Sequence, residues 1–206
     1  MSNKSHWESV YAAKAPDAVS WYAPHLVQSL HYIRAGAPNN RAAIVDIGGG
    51  ESTLVDDLLA DGYTNVSVLD LSATALEVAQ RRLGKVSKAV TWVVGDILDI
   101  EFETNTYDVW HDRAVFHFLT TDEQRQRYVH QVLRALRPGG FAIVGTFGPE
   151  GPKECSGLPV SRYAPEELYG TFGKPFQLVE STVETHVTPW GAPQQFVYCF
   201  CRRQDQ

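Results

Sequence analysis

Three carboxylates stand at the ends of short apolar runs in the first half of the chain. They are Asp46 in "IVDIGGGES", Asp70 in "VSVLDL" and Asp96 after "AVTWVVG". The first is followed by Gly48, Gly49 and Gly50. An apolar run that ends in an acid and a glycine turn reads as a strand presenting bare backbone to a ligand. A phosphate-binding loop would close on Gly-Lys-Ser/Thr, but Ser52 and Thr53 follow here without a lysine. A dinucleotide fingerprint wants glycine where Thr53 stands, and Glu51 would oppose a diphosphate at the next helix N-terminus. A nucleoside that carries an ammonium and a sulfonium, and no phosphate, turns these acids into partners. Asp46 then faces the ammonium, directly or through water, and Asp70 takes the ribose hydroxyls. Asp96 accepts from the adenine amino group while Ile97 packs on the ring. Taken singly, each carboxylate is equally a turn or a helix cap; their coincidence at successive strand ends carries the reading.

These residues need a frame that gathers strand ends. "SHWESVY" has Ser5 and Glu8 at capping-box spacing, predicting a helix over 6–13. A second helix starts at Pro24, with Leu26, Leu30 and Ile33 on its apolar side, and "AGAPNNR" follows as a loop. Strands are predicted at 42–47, 66–71, 89–94, 107–111 and 141–147. Between them lie helices: one bearing Leu54, Val55, Leu58 and Leu59 and stopped at Gly62, one capped by Ser72 and stopped at Gly84, and one bearing Val129, Val132, Leu133 and Leu136. "FQLVESTVETHV" and "QQFVYCFC" flank "TPWGAP" as a hairpin. The alternation predicts an α/β fold with a doubly wound, mostly parallel seven-stranded sheet and a C-terminal antiparallel hairpin. One domain over residues 1–206 is expected: an N-terminal helical lid (1–40), a cofactor-binding core (41–147), and a substrate-side loop with the terminal hairpin (148–206).

Composition narrows the class. The formal net charge is −6 and no basic cluster stands out, which disfavours nucleic acid as a partner. No run of about 18 apolar residues is present, and the first residues lack a secretory pattern, so a cytoplasmic protein without membrane contact is expected. Cys155, Cys199 and Cys201 fit neither a disulfide framework nor the four-ligand spacing of structural zinc, and no metal is expected.

"VDIGGGES", "VLDLS", "VVGDI", "YDVWHDRAVFHFL" and "LRPGGF" together resemble the successive motifs of class I S-adenosylmethionine-dependent methyltransferases over roughly residues 43–147. The resemblance implies S-adenosyl-L-methionine as cofactor, held by Asp46, Gly48, Gly49, Gly50, Asp70, Leu71, Asp96 and Ile97. The triple glycine followed by Glu51 departs from the family pattern.

The acceptor is to be sought after the fourth strand. "HDRAVFHF" lacks the Asn/Asp-Pro-Pro-aromatic turn of enzymes that methylate base amino groups. Its Asp-Arg-Ala segment is similar to that of thiopurine-type S-methyltransferases, and a related segment occurs in some protein-lysine methyltransferases. A small-molecule acceptor bearing a thiol or another soft nucleophile is expected; the alternatives are a protein lysine or a non-catalytic cofactor-binding domain. His111, Asp112 and Arg113 are the candidates for positioning it, Arg113 by holding a thiolate and His111 or His117 as a base. Equally ordinary roles exist for each: a packed histidine, or an Arg113–Asp112 pair. Trp7, Tyr11, Trp21 and Tyr22 are expected to fold over the site, and Cys155, in the long Gly/Pro-rich loop 147–163, to touch the acceptor. Oligomeric state is not encoded in any of these patterns.

Overall fold

The computed structural model describes residues 3–205. Parallel strands β1 (Ile44–Ile47), β2 (Val66–Asp70), β3 (Val90–Val94), β4 (Tyr107–Arg113) and β5 (Leu136–Phe147) alternate with helices. A short hairpin, β6 (Glu154–Cys155) with β7 (Leu158–Pro159), stands apart from them. The long hairpin of β8 (Phe176–Val187) and β9 (Pro193–Arg203) completes the sheet, with β9 antiparallel to β5. The order is β3-β2-β1-β4-β5-β9-β8, seven strands as the sequence predicts. The order reverses between β1 and β4, so their carboxyl ends open a crevice.

Helix α1 (Lys4–Ala13) leads into the fold, followed by α2 (Val27–Gly36), α3 (Leu54–Ala60), α4 (Ala73–Leu83), α5 (Asp122–Ala135) and α6 (Pro165–Phe172). Strand alternation divides the apolar side chains between two cores. Ile44, Val66, Val68 and Val109 pack with Leu30 and Ile33 of α2 and Leu54 and Leu58 of α3. Val45, Ile47, Leu69 and Trp110 pack with Tyr128 and Val132 of α5 and Leu168 and Phe172 of α6.

Four local expectations change. Ser5 lies inside α1 rather than at its cap, and Glu8 reaches another helix altogether. The second helix begins at Val27, a turn beyond Pro24. α6 was not anticipated, although Pro165 at its start and Glu167, whose carboxylate accepts the Ala164 N–H at 2.9 Å, form a readable start signal. The expected long loop contains the β6–β7 hairpin, whose turn residues Ser156 and Gly157 both have positive φ (50° and 76°). That turn type suits a two-residue hairpin and fixes Cys155 in place.

Candidate active site

β1 ends in a turn that only glycine accommodates. Gly50 has φ 43°, and a Cβ there would lie 2.8 Å from the Tyr11 hydroxyl and 3.0 Å from Asp70 Oδ2. The amides of Gly48 and Gly49 both donate to the Leu69 carbonyl at the end of β2 (2.7 and 3.2 Å). The turn is thereby drawn toward Asp70, leaving a cradle of bare backbone beside a carboxylate.

Asp70 is buried, with Oδ1 accepting the Ser72 N–H at 2.8 Å. Burial pushes its carboxyl up to about 7, against the opposing effect of hydrogen bonds from the Ser72 and Gly50 amides. Asp96 Oδ1 accepts the Leu98 N–H at 3.0 Å, a turn that seats Ile97 and Leu98 at the same crevice. Asp70, Leu71, Asp96, Ile97 and Gly48 line one cavity of about 400 Å³. Trp7, Tyr11, Trp21, Arg113, Phe118 and Cys155 border it too. Gly49 and Asp46 border a smaller cavity beside it.

The aromatics of the N-terminal segment interlock. Trp7 meets Trp21, Phe118 and Tyr11 at centroid distances of 5.9, 5.2 and 6.0 Å. Tyr22 borders the smaller cavity. α1 is latched by Glu8, whose carboxylate accepts the Ser72 hydroxyl (2.8 Å) and the amides of Ala73 (2.9 Å) and Thr74 (3.3 Å). The two amides are free N–H groups of the first turn of α4. Burial works to raise the Glu8 pKa, but hydrogen bonds from Thr74, Ser72 and the amides bring it below its ordinary value. Glu8→Ala should cost about 1 kcal/mol, a typical cap, and speed hydrogen exchange across residues 4–13 while the sheet amides exchange unchanged.

β4 runs two residues beyond its expected end at His111 and takes in Asp112 and Arg113, so period-two alternation sends neighbours in this trio to opposite faces. His111 pairs in register with Asp46, so both side chains point toward α2. His111 Nδ1 meets Asp46 Oδ1 at 2.7 Å, and Nε2 meets Ser29 Oγ at 2.8 Å. Ser29 Oγ lies 3.4 Å from the Tyr198 hydroxyl, which accepts Arg113 Nε–H at 3.0 Å. With Nδ1 protonated, the chain Arg113–Tyr198–Ser29–His111–Asp46 is satisfied head to tail. Both nitrogens of His111 are thus engaged, and it borders the smaller cavity rather than the large one.

Asp112 turns the other way, toward α5. It accepts the amides of Val115 (2.9 Å) and Phe116 (3.3 Å) and the Tyr128 hydroxyl (2.6 Å). Burial raises its carboxyl to about 6 despite those bonds. Its bonds shape the turn after β4, and it lines neither cavity. His117 is fully buried, its ring 4.5 Å from that of Phe147 and its nitrogens unpartnered. Burial, and then Arg113, depress it to about 3, so it is neutral at physiological pH and not among the groups lining the cavity.

Arg113 does line it. Its Nε and Nη1 donate to the Tyr198 hydroxyl and the Trp21 carbonyl (3.0 and 3.1 Å), and its guanidinium lies 4.2 Å from the Phe196 ring centre. It makes no ion pair with Asp112 or any other described carboxylate. In the register, Arg113 faces Gly145 and Gly145 faces Tyr198. A Cβ on Gly145 would lie 2.8 Å from the tyrosine ring, so glycine there lets the ring cross β5 to reach Arg113. Burial pushes the Cys155 thiol up to about 11, keeping it neutral at pH 7. Ser29, Tyr198 and Glu51 are site residues that motif reading did not select. The parallel register of β1 and β4 places His111, and with it Ser29, beside Asp46.

The comparisons with known proteins bear on the fold that carries this site. Residues 44–140 match the family described as a methyltransferase domain. The chain is 24% identical over 158 residues to EEF1A lysine methyltransferase 2 of Danio rerio, covering 70% of this chain and 68% of that one. Among solved structures, one concerning conversion of a disulfide bond into a thioacetal group during echinomycin biosynthesis aligns with TM-score 0.77 and 22% identity, covering 98% of this chain and 93% of that one. The Burkholderia thailandensis 1,6-didemethyltoxoflavin-N1-methyltransferase, with 1,6-didemethyltoxoflavin and S-adenosylhomocysteine bound, aligns with TM-score 0.73 and 20% identity, covering 98% and 87%. Residues 44–140 thus match a methyltransferase domain, in a chain whose fold is that of S-adenosylmethionine-dependent methyltransferases. S-adenosylmethionine is its cofactor, and it supplies an electrophilic methyl on a sulfonium. The cradle at Gly50, the buried Asp70 and the crevice at Asp96 are of the right chemistry to receive it. Among the described residues no helix is long and apolar enough to cross a membrane.

Proposed function

We propose that the chain methylates a small-molecule acceptor bearing a thiol or another soft nucleophile. Arg113 carries this reading: a guanidinium without a carboxylate partner borders a cavity roofed by Trp7, Tyr11 and Trp21. In this reading Asp46 and the glycine turn hold the methionine end of the cofactor, Asp70 and Leu71 the ribose, and Asp96 and Ile97 the adenine. Arg113 stabilises the acceptor as an anion, and the aromatic roof aligns it while excluding water, the main contributions an enzyme makes to an in-line displacement. Cys155, kept neutral by burial, supplies a soft wall without competing for the methyl group.

A protein lysine is the second reading, favoured by the likeness to the Danio rerio enzyme. The two separate in one assay. Purified protein with S-adenosylmethionine is offered small thiols, small amines, phenols and lysine-rich protein, and S-adenosylhomocysteine release is followed. Release with thiols above the other small acceptors is the expected result. Release only with the protein acceptor would overturn the proposal in favour of the lysine.

A further inference from the structure

Beside the main cavity lies a small one of about 40 Å³ that shares Trp21, Gly48 and Arg113 with it. Two carboxylates border this space, Asp46 and Glu51. Asp46 is already engaged, with Oδ1 on His111 Nδ1 at 2.7 Å. Glu51 is not. The residue is only 7% exposed, and its Oε2 has no hydrogen-bond partner. Arg82 acts on it at a distance but directs its N–H groups elsewhere, to the carbonyls of Glu51 and Ser52 and to the Asp56 carboxylate. A buried acceptor left unpaired is costly and rare, and a cation brought by a ligand removes that cost.

The turn explains why the carboxylate is placed there. Gly48 and Gly50 both adopt positive φ (68° and 43°), and the Ser52 amide closes onto the Gly49 carbonyl at 2.7 Å. Glu51 therefore follows a tightly fixed curve and is presented to the small cavity.

We infer that Glu51 is the carboxylate that takes the α-ammonium at the amino-acid end of the cofactor. It thereby makes the site prefer adenosyl ligands that carry an α-amino acid over those that lack one. Asp46 Oδ1 stays on His111 Nδ1, at the end of the chain that runs through Ser29 to Tyr198. The inference concerns the cofactor end alone and holds whichever acceptor is used.

Calorimetric titration tests it with S-adenosylhomocysteine and with 5′-methylthioadenosine, which has the same nucleoside thioether and no amino acid. Glu51→Gln should weaken the first ligand by about 10- to 100-fold, one charge-assisted bond, and leave the second unchanged. Equal loss of both ligands, or unchanged binding of S-adenosylhomocysteine, would overturn it. If a melting curve shows that Glu51→Gln does not fold, Glu51→Asp takes its place, with the same ligand-selective loss expected from the shortened reach. Failure of the unaltered protein to bind either ligand would overturn the cofactor assignment itself, a result visible before any variant is made.

Discussion

Replacing Asp70 by alanine should weaken S-adenosylhomocysteine binding by about 10- to 100-fold, while asparagine at the same position should make the ligand-free protein more heat-stable at pH 8. The first effect is the loss of charge-assisted bonds to the ribose, roughly 1.5–3 kcal/mol. The second follows from burial. The carboxyl is pushed up to about 7, so between its ordinary pKa near 4 and pH 7 the folded chain holds a proton that the unfolded chain has lost. Stability falls as pH rises through that window, and above it the folded state carries a buried negative charge. Asparagine keeps an acceptor for the Ser72 amide and removes the charge. Its gain in melting temperature should be present at pH 8 and shrink toward nothing at pH 4. The same linkage makes cofactor affinity rise from pH 6 to pH 8, because the ionised carboxylate is the better acceptor of two hydroxyls. Titration at the two pH values checks this, and a pH-independent affinity would remove Asp70 from the ribose site.

Arg113→Met should lower kcat/KM for a thiol acceptor at pH 7 by about 10- to 1000-fold, the size of a one- to three-unit change in thiol pKa. The rate should recover in alkaline buffer, where the thiol ionises unaided. Arg113→Lys should fall between, since an ammonium keeps the charge but loses the fork that bridges the Tyr198 hydroxyl and the Trp21 carbonyl. The pH–rate profile decides the matter. A deficit equal at pH 7 and pH 10 means that Arg113 orders the pocket instead of stabilising an anion.

The strand–helix alternation and the hairpin were legible because apolar periodicity and turn residues are local signals. So were the acids at strand ends, since topology alone puts those ends together. What local reading missed was mostly non-local or a matter of parity. A strand ending at residue 111 leaves Asp112 and Arg113 in the following loop and hides the alternation through His111, Asp112 and Arg113. In a strand they alternate, and His111 and Asp112 are drawn into opposite cores. Glu8 shows the same limit. Its spacing from Ser5 matched a capping box, but its carboxylate caps a helix more than 60 positions away, at Ser72, Ala73 and Thr74. A capping pattern says that a carboxylate suits helix amides and leaves open which helix provides them.

That misplaced cap has a kinetic meaning. α1 brings Trp7 and Tyr11 over the crevice, and its anchor rests on the helix that begins beside Asp70. Loosening that anchor would free these rings to move away from the crevice. A nucleoside that passes beneath these rings does so against the hold of one glutamate. Turnover should therefore be governed by departure of the demethylated nucleoside, with a burst of methylated product in the first cycle and a slower steady rate thereafter. Loosening the anchor at Glu8 would then quicken the steady rate while leaving the burst largely intact.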